Sequence, residues 1–315
     1  MAPYTLPPSA VWFITGCSSG IGHALCAHLA THTSHRIVAT ARDTSSLDAL
    51  PSSPNILKLQ LDVTSESSLS AAVAAVLEKW GRVDVVVNNA GYGMHTHTEL
   101  ADVGAARRLM DTNFWSVVRI TQLMLPVFRT QTGPRGGLFV QMSSMGGRQG
   151  FPGGAFYHAS KFALEGFTEA VMKECPEEWG VKWLIVEPGG VKTNYKDTSI
   201  VKAKEAEQGV GNDEAKSVYD DPKLPTNMLK QYILDPEKSS GWASVEKVVE
   251  VLYGVVERGG EMPLRLPLGS DSWGMQVKGA QESLDALMKA KEVACSTSGE
   301  EHARSVDFLT KEIRG

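Results

Sequence analysis

Tyr157 and Lys161 stand four residues apart in FYHASKFALEGF (156–167), beside the small residues Gly153, Gly154, Ala155 and Ala159. On a helix such residues share a face and their side chains reach a common point. A free phenol has a pKa of about 10, too high for ready proton exchange at neutral pH, and an adjacent ammonium favours the phenolate. That common point could hold a substrate or merely solvent. The same spacing also suits a ring lying on a lysine stem at a solvated surface, so the pair gains meaning only from other parts of the chain.

The second candidate is TGCSSGIG, Thr15–Gly22, which follows the apolar run VWFIT and leads into a helical pattern. Its Gly-x3-Gly-x-Gly spacing lets the chain turn sharply and bring backbone close to a pyrophosphate, with the N–H groups of a helix N-terminus facing the anion. Gly16, Ser18, Ser19, Gly20, Ile21 and Gly22 are the residues of that loop. An acidic residue for a ribose 2′-hydroxyl is expected roughly 20 residues on. The sequence there is VATARD, with Ala41 in place of the carboxylate and Arg42 next. Arginine pairs with a 2′-phosphate and stacks on adenine, so NADP(H) is preferred, with NAD(H) as the alternative. Asp43 would exchange places with Arg42 under a one-residue shift of register.

These groups need a scaffold, and the pattern of apolar runs supplies one. Short runs at 11–15, 36–40, 56–61, 83–87, 137–142 and 181–187 predict strands, alternating with helical periodicity at 21–32, 65–80, 99–110, 112–131 and 155–175. This alternation predicts an α/β fold with a doubly wound parallel sheet and helices on both faces. Thr64 or Ser65 would cap the second helix. After Thr193 a polar, charge-dense insertion with little apolar periodicity runs through 194–240. Helical pattern returns at 243–258, an extended segment at 263–269 brings the sheet to about seven strands, and a helical extension (272–293, 300–313) fills 270–315. No linker divides the chain, so 1–315 reads as a single domain.

Hydrophobic residues make up 42% of the 315 residues and charged ones 21%, ordinary values for a globular protein. Net charge is −5 without a basic stripe, which argues against nucleic acid. Cys17, Cys26, Cys175 and Cys295 are far apart with no CxxC spacing, and they read as free thiols of a reducing compartment. The start, MAPYTLPPSAVWFITG, lacks the charged and apolar regions of a secretory leader, and no run reaches the length of a membrane span. A cytoplasmic location is expected. His28, His32 and His35 gather no further ligand, so no metal is expected.

NNAG, residues 88–91, directly follows the VDVVV run. With TGCSSGIG before it and YHASK after it, the chain resembles the short-chain dehydrogenase/reductase family, in the family's motif order from residue 11 to about 193 and more loosely to about 268. The resemblance implies a Rossmann-type fold. It makes Tyr157 the proton donor and Lys161 its electrostatic partner, which also touches the nicotinamide ribose. Ser144 in QMSSMGG, thirteen residues before Tyr157, would bond the substrate oxygen, with Ser143 as its close rival. Asn113 in MDTNFWSVV would hold a water for proton relay through the lysine. Asn89, Ala90 and Gly91 would line the cofactor, Asp62 with Val63 would meet the adenine, and Pro188, Gly189, Val191 and Thr193 of EPGGVKT would meet the nicotinamide.

The resemblance also places a substrate lid at 194–240, with Tyr195, Tyr219, Met228 and Tyr232 as candidate lining, while the residue pattern equally allows a solvated excursion. Met94, Met145, Phe151 and Phe156 flank the catalytic set and predict an apolar pocket for a lipophilic ketone or alcohol, with His95 and His97 beside it. A homodimer or homotetramer through helices 112–131 and 155–175 is implied, with Phe114, Trp115, Val118, Leu123 and Leu125 on more than one side of the first; the alternative is a monomer whose tail covers that face. The activity implied is NADPH-dependent carbonyl reduction. Its alternatives are NAD-dependent oxidation of a secondary alcohol, and a non-catalytic cofactor-sensing protein, which would usually have lost the Tyr or Lys.

Overall fold

The structure is a computed structural model, and it describes residues 3–208, 210, 217–298 and 300–306. Apolar runs ended by turn residues become β1 (Val11–Ile14), β2 (Arg36–Ala41), β3 (Ile56–Gln60), β4 (Val85–Asn88), β5 (Gly137–Met142) and β6 (Val181–Pro188). Two short strands follow, β7 (Val191–Lys192) and β8 (Ala243–Ser244), and then β9 (Arg265–Leu268). The main sheet is seven-stranded in the order β3-β2-β1-β4-β5-β6-β9 and parallel throughout, while β7 and β8 pair separately. Chain order reverses between β1 and β4, which opens a crevice beyond the carboxyl ends of those strands.

Trp12 and Phe13 show why the sheet is covered on both sides. Successive strand residues point to opposite faces, and each of these two is fully buried in a different apolar cluster. Trp12 packs with Ile14, Leu25, Leu29 and Leu252, against α1 (Gly20–His32) and a later helix. Phe13 packs with Leu69, Phe128, Phe139 and Trp183, and the last two stack at 4.4 Å between ring centres.

Local chemistry sets the helix ends. Ser65 caps α2 (Glu66–Trp80) by accepting from the Ser68 N–H, and Gly81 closes it at φ 72°. The helix expected over 99–110 begins later, as α3 (Val103–Met110), because the Asp102 carboxylate accepts from the Gly104 and Ala105 N–H groups; a 3-10 turn (Thr98–Leu100) precedes it. The helix expected over 112–131 is α4 (Ser116–Thr130), led in by a wide π turn, Asp111–Trp115. α5 (Ala155–Glu174) carries YHASK.

Among the described residues, the insertion includes helices that its sequence does not announce, among them α6 (Tyr195–Ala206) and α7 (Pro225–Leu234). No residue of α7 is fully buried, and its short apolar stripe, Leu229, Tyr232 and Ile233, faces the cavity instead of the core. α8 (Val245–Arg258), α9 (Ser270–Cys295) and α10 (Glu300–Ser305) follow. Of the expected 300–313 helix, residues 307–313 lie outside the described residues. Trp115 is 48% exposed, so among the described residues the tail does not cover it. Among the described residues no helix is long and apolar enough to cross a membrane.

Candidate active site

The loop after β1 is built for close approach. Gly16 and Gly20 have φ of 70° and 60°, a region side chains disfavour. A Cβ on Gly16 would sit 2.8 Å from Ala90 Cα, and one on Gly22 would sit 2.5 Å from the Asn89 side-chain nitrogen. Asn89 latches the two loops by donating from Nδ2 to the Thr15 and Gly16 carbonyls at 2.9 and 3.0 Å. Thr15 answers by accepting the Asn89 and Ala90 N–H groups on its hydroxyl, both at 3.0 Å. Ser19 precedes α1 without a side-chain cap, which leaves the first N–H groups of a 13-residue helix facing the crevice. This cradle fits the pyrophosphate of a dinucleotide.

At the far rim, Arg42 lines the cavity while Asp43 does not. The Asp43 carboxylate accepts from the Ser45 N–H at 3.0 Å, and that bond holds it below its ordinary range. Asp62 and Val63 also line the cavity; Asp62 Oδ1 accepts from the Thr64 N–H and hydroxyl, at 2.9 and 2.7 Å.

Tyr157 and Lys161 are 8% and 6% exposed on one face of α5, and the Lys161 nitrogen lies 5.8 Å from the Tyr157 ring centre. Lys161 Nζ donates to the Met142 carbonyl at 2.7 Å. Burial drives its pKa down to about 8, against a smaller opposing pull from Glu165. Burial pushes the Tyr157 phenol up, while hydrogen bonds with Ser144 and Tyr195 draw it down. Ser143 and Ser144 part company at the end of β5. Ser143 Oγ donates to Glu165 Oε1 at 2.6 Å, on the buried side, while Ser144 reaches Tyr157 and accepts the Gly146 N–H at 3.0 Å. Asn113, 1% exposed, lies behind the cavity wall rather than in it. It bonds the Tyr92 backbone through Oδ1 and Nδ2 (3.0 and 2.9 Å), and Nδ2 also donates to Ser160 Oγ at 3.1 Å.

Arg42, Asp62, Val63, Ser144, Tyr157 and Lys161 surround one cavity of about 1110 Å³. Of the residues singled out from sequence, Gly16, Ser18, Ser19, Gly20, Ile21, Asn89, Ala90, Gly91, Pro188, Gly189, Val191 and Thr193 line it, with Met94, His95, Met145, Phe151 and Tyr195 at the other end. Gly22 lies beneath the loop. Tyr232 contributes to the wall, whereas Tyr219 donates to Glu99 and Met228 points outward, 58% exposed. His97 turns to Asn227, 3.3 Å away. Burial holds the His95 imidazole down to about 4, so it is neutral near pH 7.

Several contributors carry no sequence signal of their own. Asp271 Oδ2 accepts the Gly190 N–H at 2.7 Å, and Ser272 Oγ donates to the Glu187 carbonyl at 2.6 Å, so the head of α9 grips the loop after β6. Arg265 on β9 pairs with Glu165, Glu169 and Glu187 beneath Ser143.

The chain belongs to the short-chain dehydrogenase family: residues 10–203 match the model for short chain dehydrogenase. It is an oxidoreductase acting on CH–OH or C=O groups. Oxidoreductase calM of Penicillium decumbens is 39% identical over 296 residues, covering 93% of this chain and 94% of that protein. A 3-ketodihydrosphingosine reductase of Bacteroides thetaiotaomicron is 36% identical over 187 residues, covering 58% and 65%. The crystal structure of a short-chain dehydrogenase from Streptomyces avermitilis superposes with a TM-score of 0.74 at 28% identity, over 92% of this chain and all of that one (100%).

Proposed function

We propose that this protein is an NADPH-dependent carbonyl reductase acting on a lipophilic ketone, with residues 194–240 as its lid and 1–315 as one domain. The observation that carries the reading is the single cavity with the Ser144, Tyr157 and Lys161 set at one end and Arg42 at the other. Transfer of a hydride, which no side chain offers, is the chemistry a nicotinamide dinucleotide supplies when bound. The glycine loop and the first turn of α1 would hold its pyrophosphate, Arg42 its 2′-phosphate, and Lys161 its ribose hydroxyls.

Ser144 and Tyr157 would donate to the substrate oxygen from two sides, steadying charge as it develops. Tyr157 then gives up its proton to that oxygen, and the Lys161 ammonium compensates the phenolate left behind. Asn113, held by Tyr92 and Ser160, would orient the relay that restores the proton. Met94, Met145 and Phe151 make the substrate end apolar. The name of the Bacteroides relative, a 3-ketodihydrosphingosine reductase, agrees with a keto substrate and with this direction. Exposed Trp115 beside Phe114 suits a homo-oligomer through α4 and α5.

A panel of lipophilic ketones, assayed with NADPH and NADH for the intact protein and for Tyr157→Phe, tests this. NADPH-linked reduction lost by at least about a hundredfold in the variant is expected. Largely intact turnover in Tyr157→Phe would overturn the proton-donor assignment, and faster oxidation of secondary alcohols with NAD would favour the reverse reaction.

A further inference from the structure

The Tyr157 hydroxyl has two partners in reach, Ser144 and Tyr195, and the family pattern gives a part only to the first. Tyr195 is the first residue of α6, fixed there by its N–H, which donates to Thr193 Oγ1 at 3.2 Å. Its ring lies 5.7 Å from that of Tyr157, tilted by 57°, and meets His95 edge-on at 6.4 Å. Gly93 makes room for it. A Cβ there would overlap the Tyr195 phenol oxygen and crowd the Ser199 hydroxyl, so the space left by the absent side chain houses the head of this ring.

We propose that Tyr195 is a positioning residue that donates its hydroxyl hydrogen to the Tyr157 oxygen and stabilises the phenolate formed there. The inference rests on Tyr157 being the proton donor. Of two buried phenols in contact, the one harder to ionise keeps its hydrogen and donates. Burial pushes both phenols up: Tyr195 goes well up, with the neighbouring Tyr157 adding to the rise, whereas in Tyr157 the bonds to Ser144 and Tyr195 draw the rise partway back. In the reductive step a hydride supplied by the nicotinamide would bond to the carbonyl carbon as the π pair moves onto the substrate oxygen, which takes the proton from Tyr157. The pair left on the Tyr157 oxygen accepts the Tyr195 O–H, and Tyr195 itself loses nothing. Other titratable groups around the pair are Lys161 and His158 on α5, the latter 5.5 Å from the Tyr157 ring, and His95 on the loop after β4.

Tyr195→Phe removes one oxygen and keeps the ring. In the full-length protein, the limb of the pH–rate profile that reports the Tyr157 phenol is expected to move up by about one pH unit, as loss of one hydrogen bond to a charged oxygen implies. The same rise is expected in the coenzyme-free protein, read from the Tyr157 ring signal of 13C-tyrosine-labelled protein by NMR. Gly93→Ala, which expels the phenol from its niche, should reproduce both shifts. An unmoved limb and an unmoved NMR midpoint would overturn the inference. So would faster turnover with a lower KM in Tyr195→Phe, since the phenol would then be standing where substrate belongs. Full activity of Tyr157→Phe would instead defeat the underlying reading, and the NMR titration keeps the two failures apart.

Discussion

Lys161 Nζ and the Met142 carbonyl oxygen lie 2.7 Å apart inside the wall of the cavity, so the ammonium is held by the sheet as well as by its own helix. Burial costs this cation more than the bond returns. With the folded-state pKa down at about 8 from 10.5, the folded protein binds the proton less tightly than the unfolded chain does. Stability from this group is therefore lowest below pH 8 and rises as pH climbs from about 8 to about 10.5, by roughly 3 kcal/mol in all. Lys161→Met is expected to melt a few degrees higher than the parent at pH 7 while losing about a hundredfold or more in turnover. Calorimetry against pH, alongside the rate assay, checks both.

Gly16→Ala should hurt both folding and coenzyme binding. The new methyl group would sit 2.8 Å from Ala90 Cα, on a residue whose φ is 70°. A loss of about 2 kcal/mol in urea denaturation is expected, with weakened NADPH binding in a fluorescence titration.

Arg42→Leu separates the coenzymes. Arg42 lines the cavity and Asp43 is committed to its own turn, so the variant should raise the KM for NADPH about tenfold or more and leave that for NADH nearly unchanged. Steady-state kinetics with each coenzyme decides it; an unaltered preference would remove Arg42 from the 2′-phosphate site.

Arg265→Met should destabilise the protein by about 3–5 kcal/mol at pH 7, because Glu165 and Glu187, both buried, would lose their shared cation. Burial already pushes the Glu165 carboxyl up. A carboxyl with a raised folded-state pKa binds protons more tightly when folded, so the deficit should shrink as pH falls toward about 5. Denaturation midpoints at several pH values measure this.

The parallel sheet was readable because most of its strands are short, mainly apolar runs closed by a turn residue, as in VWFIT before Gly16. The glycine loop and YHASK were readable because their residues are local to one turn or one helix. Other features depend on partners far along the chain. Asn113 belongs to a helical apolar pattern, and nothing local tells that a π turn carries it. α6 buries only the small residues Ser199, Ala203 and Ala206, and α7 buries none, so neither shows a stripe of large apolar residues against the core. Ser143 and Ser144 are chemically identical, and only Glu165, 22 residues from Ser143, separates their directions. Asp271 reaches Gly190 across 81 residues, a separation no motif spans.

That last contact has a practical side. The hands that clasp the loop after β6 belong to the opening turn of the tail, so trimming the chain ahead of Ser270 would loosen that side of the cavity. Anyone borrowing this scaffold should treat the tail's first turn as a piece of the cleft's floor and begin any cut well downstream of it.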